Sequence, residues 1–324
     1  MSHDTNTGAA GKSGAGLGRI LHSPLALPLI GLIVVSVLMG FASDNFFSLS
    51  NIMNVLRQVS VVGTLAVGMT FVILTGGIDL SVGAVMALVG TLASGMMVNM
   101  GLPAPLALVI GLFIGLGIGL ANGVLVAWGK MPAIIVTLAT MGMARGLGLI
   151  YSGGYPISGI PGWISWFGVG RVGFVPVPVI IMVVIYAAAW VLLQRTPFGR
   201  HVYALGGNET AARLSGVKTQ RVKLAVYGIS GLTAALAAVI LTGRLMSGQP
   251  NAGVGFELDA IAAVVLGGTA ISGGRGLILG TLIGAVLLGI LNNGLNLMGI
   301  NPYLQDVIKG AIILLAIYIG REWR

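Results

Sequence analysis

Cysteine is absent from this chain, and charge is nearly so: Asp, Glu, Lys and Arg together make up 8% of its 324 residues. The missing cysteine excludes disulfides, thiolate chemistry and cysteine-ligated zinc. A soluble domain carries about 25% charged residues, so a fold of this size could not cover a water-facing surface with so few. Lipid is the implied solvent. Histidine is scarce too, with only His3, His22 and His201. Neither H-E-x-x-H nor G-x-S-x-G occurs, and no carboxylate pair stands inside an apolar run. Eight acids are too few to build a metal cage. These absences argue against an enzyme. "NTGAAGKSG" resembles a phosphate-binding loop, but the position that needs the first glycine is Asn6, and neither strand nor helix signals flank it. The chain is therefore expected to hold no nucleotide, metal or other cofactor of its own.

Apolar residues and glycine fill the space that charge leaves. Hydrophobic residues make up 56%, and the 53 glycines are more than twice the usual ~7% share. They follow no collagen-like period and lie inside long apolar runs, where a missing side chain lets helix backbones touch. A bilayer core takes about 20 apolar residues per helix. That rule predicts an all-α polytopic membrane protein of about ten transmembrane helices: 24–43, 57–76, 80–98, 104–128, 132–151, 174–194, 224–243, 258–272, 277–297 and 303–320. The first run is too long for a signal-peptide core and reads as a retained span. Residues 1–20 read as a disordered cytoplasmic tail and 21–324 as one transmembrane domain. The run 258–272 is short for a crossing and reads as a candidate broken or re-entrant helix.

The net charge of +9 would suggest nucleic acid in a soluble protein. Here the basic residues punctuate apolar spans, so no nucleic-acid partner is expected. With the N-terminus inside, twelve Lys and Arg fall in inner segments, against three outside, Arg57, Arg171 and Arg244. The bias places both termini in the cytoplasm. Six of the inner charges crowd into 195–223. Within that segment, "NETAARLSG" reads as a short helix outside the membrane. Asn208 is its N-cap, Glu209 stands in its first turn and Gly216 follows its end.

Other polar or small residues have structural readings beside functional ones. Gly111, Gly115, Gly119 and Gly123 draw a smooth ridge down one helix, suited to close crossing or to a moving face, and Gly142 with Gly146, and Gly280 with Gly284, repeat the spacing. "LTGGIDLSVG" reads as a tight inner hairpin in which Asp79 would N-cap the next helix. Glu257 and Asp259 read as caps at a span end. Arg145 and Lys309 fall within spans, Arg145 near enough to an end to snorkel and Lys309 beside Asp306 at i,i+3. "LNNGLN" sets Asn292, Asn293 and Asn296 in a span, where amides suit a hydroxylated solute or glue helices together. Trp163, Trp166 and Phe167 lie in an outer loop, as an interfacial belt or a docking surface. Aligning Gly76-Gly77 with Gly273-Gly274 also pairs Leu80 with Leu277 and Gly83 with Gly280, a hint of an internal parallel repeat.

Four stretches, "GMTFVILTGGIDLSVGAVMAL", "GRHVYALGGNETAARLSGV", "GFELDAIAAVVLGGTAISGGRG" and "GTLIGAVLLGILNNGLNLMGI", closely resemble the permease subunits of ribose-type sugar ABC importers. The resemblance runs from about residue 45 to about 320. It implies a bacterial inner-membrane permease, working as a pair of membrane subunits. It also implies a cytoplasmic ATP-binding subunit that holds ATP and magnesium, and a periplasmic sugar-binding protein. The segment matching "YALGGNETAARLSGV" resembles the family's coupling region, which assigns contact with the ATPase to Gly206, Gly207, Asn208, Glu209, Ala212, Arg213 and Gly216. Asn292, Asn293 and Asn296 are the candidate substrate path. The implied function is ATP-driven import of a monosaccharide, a pentose or related sugar, by alternating access. A gradient-driven secondary sugar transporter is the alternative.

Overall fold

In a computed structural model, residues 25–321 are described, and helices make up almost all of their regular structure. The expected disordered tail 1–20 lies outside the described residues. In chain order the first helices are α1 Ala26–Ala42, α2 Leu49–Leu74, α3 Val82–Val98, α4 Ala104–Ala127 and α5 Ala133–Ser152. A loop follows with strand β1 Ile157–Ser158, a short helix α6 Ser165–Val169, and the hairpin β2 Arg171–Val172 with β3 Val175–Pro176. Then come α7 Val177–Arg195, α8 Pro197–Gly207, α9 Glu209–Leu214 and α10 Thr219–Leu245. Strand β4 Ser247–Gly248 pairs antiparallel with β1, and the chain ends in α11 Phe256–Leu266, α12 Ile278–Leu297 and α13 Pro302–Arg321.

Among the described residues, six helices (α2, α4, α5, α7, α10 and α12) are long and apolar enough to cross a membrane. The sequence-derived spans fall on helices, with ends shifted by a few residues. The largest shift is in α2, which starts eight residues before residue 57, where Ser48 accepts a hydrogen bond from the Asn51 N–H at 3.3 Å. The expected span 258–272 is resolved into an 11-residue helix, α11, followed by turns through 267–277. It is a broken helix whose turns are only partly covered: Gly267, Thr269 and Gly273 are buried, whereas Gly268, Ile271, Ser272 and Arg275 are exposed.

Burial sorts the helices into a centre and a rim. In α2, α12 and α10, 78%, 67% and 61% of the apolar window is buried, against 28% in α4 and α5 and 33% in α7. The rim helices present Phe113 of α4, Ile135 and Ile150 of α5 and Val184 of α7 outward, as lipid-facing helices do. Three glycines of the α4 ridge pack against α10, while Gly111 faces Val89 and Ala93 of α3. A Cβ on Gly115 would lie 2.6 Å from the Ala235 Cβ, one on Gly119 would overlap the Tyr227 carbonyl, and one on Gly123 would lie 2.9 Å from the Leu224 Cα. The same spacing in α5 does no such work: Gly142 and Gly146 have nothing within 4 Å of an added Cβ.

Candidate functional site

The charged segment 195–223 folds as a capped helix pair. Thr196 opens α8, its hydroxyl accepting the Gly199 N–H at 3.4 Å, with Pro197 in the first turn. Asn208 ends α8 and begins α9. Its Oδ1 accepts the Ala211 N–H at 2.9 Å, as the sequence predicted for an N-cap. At the other end the Gly216 N–H reaches the Arg213 carbonyl and the Val217 N–H reaches the Ala212 carbonyl, each at 3.0 Å. This is a Schellman closure, and it needs the left-handed φ of +85° that Gly216 adopts. A six-residue helix is marginal alone; here both ends are satisfied and Ala212 is buried against the body.

The seven sequence-assigned coupling residues therefore stand on one unit with different tasks. Glu209 forms a 2.8 Å ion pair with Lys223 of α10, which pins α9 to the next long helix. Arg213 is exposed and forms no ion pair among the described residues. Beside it Leu214 is 82% exposed, an apolar side chain that the charge-based reading passed over. Gly207 is exposed, while Gly206 faces inward. A Cβ on Gly206 would overlap the Leu74 carbonyl at the end of α2 and the Gly274 nitrogen. Tyr203 of α8 donates to the Gly276 carbonyl at 3.0 Å and accepts from Gln194 at 3.4 Å. Burial raises its phenol above the usual range, and the Gln194 bond opposes that shift; a neutral phenol keeps the proton that the Gly276 carbonyl accepts.

The three candidate path amides part company in space. Asn293 and Asn51 exchange two hydrogen bonds, each 2.8 Å, which lock α12 to the start of α2. Asn296 accepts from Gln305 at 2.9 Å, tying α12 to α13. The buried Oδ1 of Asn292 has no hydrogen-bond partner among the described residues. Lys309 pairs with Asp306 at 3.1 Å, the expected i,i+3 contact, and also reaches Asp259 of α11 at 3.7 Å. Asp259 thus joins two helices instead of capping one. Glu257 does reach back to the helix start, its Oε1 accepting the Gly255 N–H at 3.3 Å.

Asp79 needs correction. It does not N-cap α3; that helix starts at Val82 with no side-chain cap at Ser81. Asp79 is buried, with Oδ1 accepting from the Ser81 N–H at 2.9 Å and the Ser81 hydroxyl at 2.6 Å, and Oδ2 accepting from Ser230 at 2.7 Å. Ser81 in turn accepts from Asn122 at 3.1 Å, and Asn122 accepts from Thr140 at 2.6 Å. One carboxylate therefore gathers α3, α4, α5 and α10. Its signal in the sequence was the density of small hydroxyl and amide residues in otherwise apolar helices, which pattern alone cannot pair.

Comparison with known proteins follows the same lines. The profile described as "Branched-chain amino acid transport system / permease component" matches residues 51–317. The chain is 53% identical over 297 residues to the ribose import permease protein RbsC of Bacillus subtilis, covering 91% of this chain and 92% of that protein. It is 48% identical over 300 residues to RbsC of Escherichia coli K12, with 91% and 92% covered. The xylose transport system permease protein XylH of the same organism is 35% identical over 363 residues, with 93% and 92% covered. No solved structure matches. A polytopic helical chain matched along nearly its whole length leads to the conclusion: it belongs to the branched-chain amino acid transport system permease family, as a transport component and not an enzyme.

Proposed function

We propose that this chain is the inner-membrane permease subunit of an ATP-driven importer, passing a monosaccharide, a pentose or related sugar, into the cytoplasm by alternating access. The named solutes of the relatives, ribose and xylose, support the sugar class. The observation that carries the reading is the α8–α9 unit. It is rigid because both ends of α9 are capped, it is anchored by Glu209–Lys223, and it presents Arg213 and Leu214 outward. That combination of a charged and an apolar group on a stiff support suits a protein partner. We assign the partner as a cytoplasmic ATP-binding subunit that holds ATP and magnesium. A periplasmic sugar-binding protein delivers the solute, and a second copy of the chain completes the path.

In this reading the chain crosses ten times, counting α11 and its turns as one crossing, with both termini cytoplasmic; the basic bias of the inner segments supports it. The amide of Asn292 is the path residue best placed to meet a sugar hydroxyl, because Asn293 and Asn296 are already engaged.

The test is purification of the tagged chain from its own membranes with whatever accompanies it, followed by ATP hydrolysis and reconstituted uptake. A stoichiometric ATPase that is lost on Arg213→Ala is the expected result. Arg213 is the cleaner probe, since Glu209→Ala also releases Lys223. The gradient-driven alternative has one observation in its favour, the buried Asp79 with no cationic partner among the described residues. Uptake by the chain alone in liposomes, collapsed by an ionophore, would establish that alternative instead.

A further inference from the structure

Three separate backbones meet under the coupling unit with no side chain between them. The first is the end of α2 and its turn, Leu74 to Gly77. The second is the α8–α9 junction at Gly206 and Gly207. The third is the turn after the broken helix α11, Gly273 and Gly274. The Gly274 N–H donates to the Leu74 carbonyl at 2.9 Å. A Cβ on Gly273 would lie 2.8 Å from the Gly76 nitrogen, and one on Gly274 would lie 2.7 Å from the Gly207 nitrogen. Gly76, Gly273 and Gly274 all hold positive φ, between +74° and +84°. The contact is thus specified by backbone shape on every side.

The joint's position gives it mechanical meaning. One strand out of it is the hairpin 75–81. Its far end is Asp79, bound to Ser230 of α10, and next to it the Ile78 carbonyl accepts from Thr137 of α5 at 3.2 Å. The other strand is the turn that leads into α12, whose Gly276 carbonyl is held by Tyr203 of α8. A displacement of α8–α9 at this point therefore pushes the α2–α3 hairpin and the α11–α12 turn together. Close-packed backbone cannot absorb such a push by rotamer change.

We infer that the backbone joint Leu74–Gly76/Gly206–Gly207/Gly273–Gly274 is the transmission point at which movement of the α8–α9 unit enters both the α2–α3 hairpin and the α11–α12 turn. The inference rests on the coupling reading above and deepens it. Attachment of the ATPase belongs to the outward face of α9, with Arg213 and Leu214. Transmission belongs to the inward face, with Gly206 and Tyr203, and the two are separable.

The test uses the complete importer in proteoliposomes, carrying Gly206→Ala or Tyr203→Phe, with Gly117→Ala as reference because an added Cβ there meets nothing within 4 Å. Three quantities are read: ATPase co-purified per permease, solute-stimulated ATP hydrolysis, and ATP-driven uptake. The expected result for Gly206→Ala is a wild-type ratio of ATPase with uptake per ATP hydrolysed reduced about tenfold, within the range that coupling free energies produce. Tyr203→Phe keeps the ring and the backbone contacts but loses the Gly276 bond together with the longer one accepted from Gln194, so its loss is smaller and in the same direction. Wild-type uptake per ATP in both variants would overturn the inference. Loss of the ATPase itself from Gly206→Ala would overturn it too, because the joint would then build the docking face. If Gly206→Ala does not insert, Tyr203→Phe decides alone, and unchanged coupling there is fatal. Failure of the unaltered chain to bring down any ATPase would instead strike the proposed function.

Discussion

At the scale of the residue, the chain's few polar groups act by position more than by number. Asp79 accepts from three donors, on Ser81 and Ser230, and reaches α4 and α5 through Ser81, so removing one donor leaves an acceptor buried and short of a partner. Ser230→Ala is expected to lower stability by about 1–3 kcal/mol, the usual cost of an unsatisfied buried polar group. Thermal unfolding in detergent, followed by tryptophan fluorescence, checks this; an unshifted transition would show that Asp79 does not depend on α10. Asn208 has a lesser task. Asn208→Ala removes one cap from a six-residue helix and should cost about 1 kcal/mol. Because α9 is exposed, that loss is local. It should appear as faster amide exchange over 209–214 with no change in the global transition.

Among elements, the same four-residue glycine spacing has two outcomes. On α4 it allows α10 to approach until backbones touch; on α5 nothing fills it. Gly119→Leu should therefore drive α4 from α10 and destabilise the fold by 1–3 kcal/mol or more, the ordinary result of overpacking. Gly142→Ala should stay within about 0.5 kcal/mol of the parent. Parallel melts of the two variants measure the difference, and equal melting points would refute the packing assigned to the ridge. The broken α11 makes a related point. Eleven residues span about 16 Å of helix, so the rest of that passage is made by turns whose exposed carbonyls and N–H groups need neighbours. Leu74 and Tyr203 supply two of them, for the Gly274 N–H and the Gly276 carbonyl.

For the whole molecule, the basic bias is the ground for the proposed orientation, and the absence of cysteine makes that orientation easy to measure. Leu214 and Tyr155 are 82% and 76% exposed, on the two sides that the basic bias assigns as inner and outer. Leu214→Cys should react with a membrane-impermeant maleimide only after the membrane is opened, and Tyr155→Cys in intact cells. The opposite pattern would invert the topology and place α9 beyond the reach of a cytoplasmic ATPase.

Composition and the long apolar runs by themselves determined the helical membrane class and the rough places of the long apolar helices, though not α6 or α8, because twenty apolar residues in lipid have almost no other way to satisfy their backbone. They also determined α9, since capping is written in neighbouring residues: Asn208 before the helix and Gly216 after it. The tertiary structure alone decided which polar residues meet. Asn293 faced Asn51, 242 positions away, the helix-joining one of the two readings that the "LNNGLN" stretch left open. Asp79 served four helices and not the cap of one. The two Gly-Gly turns matched in sequence came into contact at Gly76 and Gly273, with Gly206 set against them. Such contacts depend on how helices stack in three dimensions, and a uniformly apolar helix carries too little pattern to say which of its faces will be turned toward which neighbour.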